Sequence, residues 1–101
     1  MFNVFEALVK TIRDRKSSSE QESYTKKLLV DKNLCREKVM EEINELVDAL
    51  SKKKNEVHEA ADVIYHLFVL LEANDIKIED VLGELKKRQG ISGLVEKANR
   101  E

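Results

Sequence analysis

Glu42 and Glu45 stand three residues apart, as do Glu59 and Asp62, and both pairs fall in stretches that otherwise pattern as amphipathic or apolar helix. The second pair opens Ala60–Leu71 (AADVIYHLFVLL), in which Asp62 and His66 are the strongly polar members. A helix that is apolar all round is a buried helix. A carboxylate carried on it meets a large desolvation cost unless it is protonated, paired or bound to a cation. Side chains at i and i+3 share a helix face, and the thirteen residues between Glu45 and Glu59 suffice to finish one helix, turn and start the next. The pairs can therefore face each other across a helical hairpin. Carboxylates with no histidine or cysteine in an equivalent place suit Mg²⁺ or Mn²⁺ rather than zinc. Mg²⁺ held by carboxylates, with waters left on it, is an arrangement that binds substrate phosphates.

A blander account stands beside this one. Acidic residues at i,i+3 are common on solvated helix faces, and a single such pair would more often be surface than site. Glu37, Glu41 and Asp48 fit that description, with Glu41 ambiguous because it shares a face with Glu45. Two pairs on consecutive helices, one of them embedded in AADVIYHLFVLL, shift the balance towards a site. His66, one turn after Asp62, reads equally as a partner for that carboxylate and as a satisfied core histidine.

The elements that must position these groups are helices. Phe2, Phe5, Leu8, Val9 and Ile12 recur at three- and four-residue spacing and predict a first helix running to about Lys16. Ser17–Ser23 (SSSEQES) breaks the period, and a short helix is predicted over Tyr24–Val30. Asp31 or Asn33 caps the next helix, whose buried stripe reads Leu34, Cys35, Val39, Ile43, Leu46, Val47 and Leu50. Ser51–Asn55 (SKKKN) makes a tight connection, Asn55 caps a helix to about Ala73, and Asn74–Lys77 turns the chain into a last helix marked by Ile78, Val81, Leu82 and Leu85. Gln89–Gly93 (QGISG) ends it, leaving a polar tail over 89–101. The expected fold is all-α: an antiparallel bundle of about four main helices in one domain over residues 1–101, its core within about 5–88. One chain supplies too few helices to cover the Ala60–Leu71 segment, so a homodimer is expected to complete the bundle.

Bulk properties narrow the function classes. The chain has 101 residues, 42% apolar and 38% charged, with no proline and three glycines, a composition suited to helices. A formal charge of −2 supplies no field for nucleic acid. Cys35 stands alone, which fits a reducing cytosol and rules out an intrachain disulfide. The start MFNVFEALVK has no signal-peptide pattern, and the twelve residues of Ala60–Leu71 fall short of the roughly 20 that span a bilayer. A soluble cytoplasmic protein with no membrane partner is expected.

Several segments together resemble one family. Glu41-Glu42-Ile43-Asn44-Glu45 followed by Glu59-Ala60-Ala61-Asp62 is similar to the EExxE…ExxD pattern of the MazG-like all-α NTP pyrophosphohydrolases. Ser23-Tyr24-Thr25-Lys26-Lys27-Leu28, Lys38-Val39 before the acidic motif, and Glu59–Leu71 resemble the histidine-biosynthesis branch, the phosphoribosyl-ATP pyrophosphohydrolases. The likeness runs from about Phe5 to Arg88. It implies Mg²⁺-dependent hydrolysis of the α–β phosphoanhydride of phosphoribosyl-ATP, the small-molecule substrate. By the same resemblance Glu42, Glu45, Glu59 and Asp62 are metal ligands; a carboxylate not fully committed to metal can accept the attacking water's proton, and Glu45 is the choice for that general base. Arg13, Arg15, Lys27 and Lys38 become candidates for phosphate contacts, and Tyr24 and Thr25 for substrate contacts. Ordinary surface charge accounts for Arg13 and Arg15 equally well. Met40 stands where the family often has glycine, Lys52-Lys53-Lys54 replaces an NGD-like turn, and Lys77 replaces a small capping residue. No cyclohydrolase half accompanies the domain, so a stand-alone enzyme is expected. A house-cleaning nucleotide pyrophosphohydrolase of the same superfamily, and a catalytically silent helical dimer, are the competing readings.

Overall fold

A computed structural model describes residues 3–89, and every regular element among them is helical. The chain runs α1 (Asn3–Asp14), a 3₁₀ turn (Arg15–Ser17), α2 (Tyr24–Val30), α3 (Lys32–Lys52), α4 (Glu56–Ala73) and α5 (Ile78–Arg88). The four longer helices are those expected, with α2 as the short one over the residues predicted for it. The polar tail expected beyond Gln89 lies outside the described residues.

Local chemistry sets the boundaries. The Ser23 hydroxyl accepts from the Lys26 amide at 3.1 Å and starts α2. Of the two capping residues expected for α3, Asp31 does the work, accepting from the Leu34 amide at 3.0 Å. The cap expected from Asn55 is not made. Asn55 occupies the position before α4, but its φ is 62° and its side chain bonds no amide of the helix. The connection is instead turned by two left-handed residues, Lys53 at φ 56° and Asn55. Lys53 ends α3 with its amide on the Ala49 carbonyl. So short a link makes α3 and α4 an antiparallel hairpin, and they are the most extensively packed pair of helices in the chain.

The core lies where α1, α2 and the start of α3 close over α4. Ile12, Leu28, Leu29, Cys35, Val69 and Ala73 are buried together, with Leu8, Tyr65 and Phe68 packed on them. The burial expected along α3 holds only for its first half. Cys35 and Val39 are buried, whereas Ile43, Val47 and Leu50 are exposed, Val47 and Leu50 by 58% and 57%. With Met40 they form a stripe at three- and four-residue spacing that no other helix among the described residues covers.

An ion cluster ties the far end of α4 to α1 and α5. Glu72 is buried and receives Lys16 Nζ at 2.7 Å and Arg13 Nε at 3.3 Å. Arg13 also grips Glu79 with both terminal nitrogens, at 2.8 and 2.6 Å. Burial pushes the Glu72 carboxyl up, but its hydrogen bonds and charge pairs with Lys16 and Arg13 outweigh it and hold the group below the usual carboxylate range. Arg13 holds Glu79 lower still, at about 2.

Two outcomes follow from these contacts. A folded-state pKa below the unfolded one gives stability that is present above the ordinary carboxylate pKa and lost as pH falls through the depressed value. Stability should therefore decline from about pH 4 towards 2, and Glu72→Gln should remove part of that acid dependence. At neutral pH the same change should lower stability by about 1–3 kcal/mol, below the figure for a fully buried pair because both cations reach solvent. Lys53→Gly should raise it by about 0.5–1 kcal/mol, since a left-handed non-glycine residue costs about 1–2 kcal/mol and glycine's extra chain entropy offsets part of that. Urea midpoints at fixed m-value read both substitutions.

Candidate active site

The hairpin brings acids of both helices together. One carboxylate oxygen from each of Glu42 and Glu45 on α3 and Glu59 on α4 lies within 4.8 Å of the others. Glu59 belongs also to a second group, in which a carboxylate oxygen of Glu59, one of Asp62 and a ring nitrogen of His58 lie within 4.8 Å of one another. The expected set of four thus divides into two triads sharing Glu59, with Asp62 in the second. Within it His58 Nε2 approaches Asp62 Oδ2 to 3.3 Å.

His58 is the residue that sequence reasoning passed over. The donor set expected from the sequence holds no histidine, but i,i+4 spacing puts His58 on the face of Asp62, and that spacing is the available signal. It adds an exposed imidazole at the rim of an otherwise all-oxygen cluster.

The electrostatics of the cluster are unfavourable to the chain alone. Glu42 Oε2 and Glu59 Oε2 are buried and bond no donor among the described residues. Burial first, then the neighbouring Glu45 carboxylate, pushes the Glu42 carboxyl above its ordinary value. Glu59 is raised by the same two causes, with His58 partly opposing. Orphaned carboxylate oxygens converging from two helices fit a hard divalent cation, which oxygen donors suit. Among the described residues no lysine or arginine is paired to these oxygens to serve in its place.

The other expected site residues fall into three situations. Tyr24 and Thr25 are both engaged with α4: the Tyr24 hydroxyl lies 3.0 Å from His66 Nε2, and Thr25 Oγ1 bonds the Tyr65 hydroxyl. Lys38 is half-buried on α3 and pairs with Glu41 at 3.2 Å, which also places Glu41 at the edge of the site. Its ammonium and the Glu42 carboxylate both act on Tyr24, whose pKa is raised mainly by burial. Lys27 and Arg15 are exposed, on α2 and the 3₁₀ turn. Arg13 is occupied by Glu72 and Glu79. His66 is buried, with its Nδ1 2.7 Å from the Asp62 carbonyl oxygen, so both of its nitrogens are satisfied.

Known proteins share this chain almost end to end. The family model for phosphoribosyl-ATP pyrophosphohydrolase matches residues 5–89. The phosphoribosyl-ATP pyrophosphatase of Neisseria meningitidis serogroup B is 49% identical over 104 residues, which cover 97% of this chain and 94% of that protein. The phosphoribosyl-ATP pyrophosphatase of Rhodobacter capsulatus is 44% identical over 96 residues, 92% of this chain and 93% of that protein. That of Dinoroseobacter shibae is 42% identical over 101 residues, 97% and 99% of the two chains. The match embraces every helix that carries an acidic or latching residue of the site, and this chain belongs to the phosphoribosyl-ATP pyrophosphohydrolase family.

Proposed function

We propose that this chain hydrolyses the α–β phosphoanhydride of phosphoribosyl-ATP to phosphoribosyl-AMP and pyrophosphate, with Mg²⁺ (or Mn²⁺) bound at Glu42, Glu45, Glu59 and Asp62. The observation that carries the reading is the pair of buried, unpartnered carboxylate oxygens on facing helices, in a chain of this family. When bound, the cation supplies charge neutralisation at the triphosphate and a lowered pKa for the attacking water. Glu45 has the role of general base, because its carboxylate is the exposed member of the Glu42–Glu45–Glu59 triad and a base must reach the water it deprotonates. Lys38, Lys27 and Arg15 are the contacts assigned to the leaving pyrophosphate, whose departure needs cationic stabilisation. Arg13 is the least available of the proposed phosphate contacts, since both carboxylates it grips would have to release it.

A homodimer is part of the proposal. Met40, Ile43, Val47 and Leu50 on α3, with Ile64 and Leu67 on α4, are exposed apolar side chains of the kind that a second copy covers. No described helix is long and apolar enough to cross a membrane, and cytoplasmic action on a small nucleotide is consistent with that.

Pyrophosphate release from phosphoribosyl-ATP, set against a panel of canonical nucleoside triphosphates with and without Mg²⁺, tests the reading. Preference for a canonical nucleotide would hand the chain to house-cleaning chemistry, and no release at all would leave a scaffold. Asp62→Asn should lower turnover by orders of magnitude while leaving the melting temperature of the metal-free protein unchanged or raised, because repulsion in the cluster is relieved. The exposed His58–Asp62 pair is worth too little to mask this. Near-wild-type turnover would remove Asp62 from the site. Mn²⁺ at about 100 times its dissociation constant should stabilise the fold by about 2.7 kcal/mol. Glu59→Gln should abolish that gain, and an undiminished gain would place the cation elsewhere.

A further inference from the structure

Tyr24 meets α4 through a bond whose polarity, for a neutral imidazole, follows from the geometry. His66 is only 6% exposed, and its Nδ1 lies 2.7 Å from the Asp62 carbonyl oxygen. A carbonyl oxygen accepts and never donates, so Nδ1 must carry hydrogen. In the neutral ring Nε2 is then bare, and the hydroxyl 3.0 Å away on Tyr24 must donate to it. Two aromatic neighbours hem the ring in. Tyr65 packs edge-on against it at 4.9 Å and Tyr24 at 5.8 Å between centroids. The neighbouring Thr25–Tyr65 bond fastens the same end of α2 to the same stretch of α4.

A phenol has one hydrogen to give. With that hydrogen turned inward to His66, the oxygen of Tyr24 keeps only lone pairs for anything outside. Tyr24 is 49% exposed, so an outside group can reach it, and it shares its electrostatic surroundings with Lys38 and Glu42 at the edge of the acidic cluster. A phosphate oxygen, itself an acceptor, is repelled by such a group. A hydroxyl is not, and the hydroxyls nearest to a phosphate chain are those of the ribose that carries it.

We propose that His66 is a positioning residue which, as the Nδ1–H tautomer anchored on the Asp62 carbonyl, holds Tyr24 as a hydrogen-bond acceptor for a ribose hydroxyl of the substrate. The contact to substrate rests on the phosphoribosyl-ATP reading above; the tautomer does not. His66 therefore links two roles along one line, because the carbonyl that fixes its ring belongs to a residue of the acidic cluster.

The first test needs no substrate. Nitrogen-15 NMR of the histidine rings, with His58 separated by a His58→Gln variant, should find hydrogen on Nδ1 of His66 and a bare Nε2 that shifts in Tyr24→Phe. Hydrogen on Nε2 at neutral pH overturns the proposal. The second test is kinetic, with phosphoribosyl-ATP as substrate. Tyr24→Phe and His66→Asn should each raise KM by about five- to tenfold, the scale of one lost hydrogen bond, with kcat little changed. Asn retains a donor for the Asp62 carbonyl but has nothing at the Nε2 position. The combined variant should be no worse than either alone, and His66→Gln, whose amide oxygen can take the Tyr24 hydrogen, should recover most of the loss. Multiplying effects, or a folded Gln variant as poor as Asn, overturn the proposal. The 2′-deoxy or the 3′-deoxy form of the substrate should cost wild type the same factor and cost Tyr24→Phe nothing further; equal losses in both proteins overturn the ribose contact. A wild-type protein that releases no pyrophosphate sinks the proposed function instead, and the NMR result still decides the tautomer.

Discussion

Carboxylates forced together toward the turn end of the α3–α4 hairpin are the constraint around which the rest of the chain is arranged. Glu42, Glu45 and Glu59 repel one another, and two of their oxygens are buried without a donor. Left to itself, such a hairpin would splay or slide until its acids reached water. It does neither, because α3 and α4 are packed along their length and turned by a link of Lys53, Lys54 and Asn55, two of them left-handed. The hydrophobic core is built farther along α4, where Val69 meets Ile12, Leu28 and Leu29. The stabilising and the repelling parts of the molecule thus share one helix, and the first holds the second in register.

The smaller helices serve that purpose. α1 and α5 are joined to the end of α4 through Arg13, Lys16, Glu72 and Glu79, which limits how far α4 can rotate about its axis. α2 is pinned to the middle of α4 by Tyr24 on His66 and Thr25 on Tyr65. Rotation of α4 by even part of a turn would separate Glu59 from the α3 acids, since residues on a helix diverge by about 100° per position. Contacts remote from the acidic cluster therefore set its geometry.

Much of this was legible in the residues. Three- and four-residue spacing located α1, α3 and α5, the apolar run Ala60–Leu71 located α4, and the polar break over Ser17–Ser23 and the choice of Asp31 or Asn33 marked two helix starts. Acids in an apolar stretch located Glu59 and Asp62. Spacing alone could not tell which chain covers an apolar face, and so Ile43, Val47 and Leu50 passed for core of the single chain although they are exposed in it. Nor could it separate a cation meant for phosphate from one meant for a carboxylate. Arg13 is bound by Glu72 and Glu79, fifty-nine and sixty-six residues away along the chain, and nothing local announces such a partnership. Asn55 misled for a different reason. It has the right type for a cap, but the turn demanded positive φ there and asparagine tolerates that well.

α4 treats its own carboxylates in opposite ways, and the contrast separates function from structure. Glu59 lies in the first turn of the helix, where the dipole favours an anion, and Glu72 lies in the last, where it does not. On that ground alone Glu72 should be the strained group and Glu59 the comfortable one. The order is reversed: Glu72 has Lys16 and Arg13 against it and is held below the usual range, while Glu59 has only other acids and an exposed imidazole and is pushed above it. Coulomb attraction to full charges at hydrogen-bond distance outweighs the half-charges of a helix end. Among the described residues, ion pairs join Lys16 and Arg13 to the carboxylate that braces the fold, and none joins a lysine or arginine to Glu42, Glu45 or Glu59. A carboxylate left short of positive charge in this way fits the cation-binding role proposed for it above.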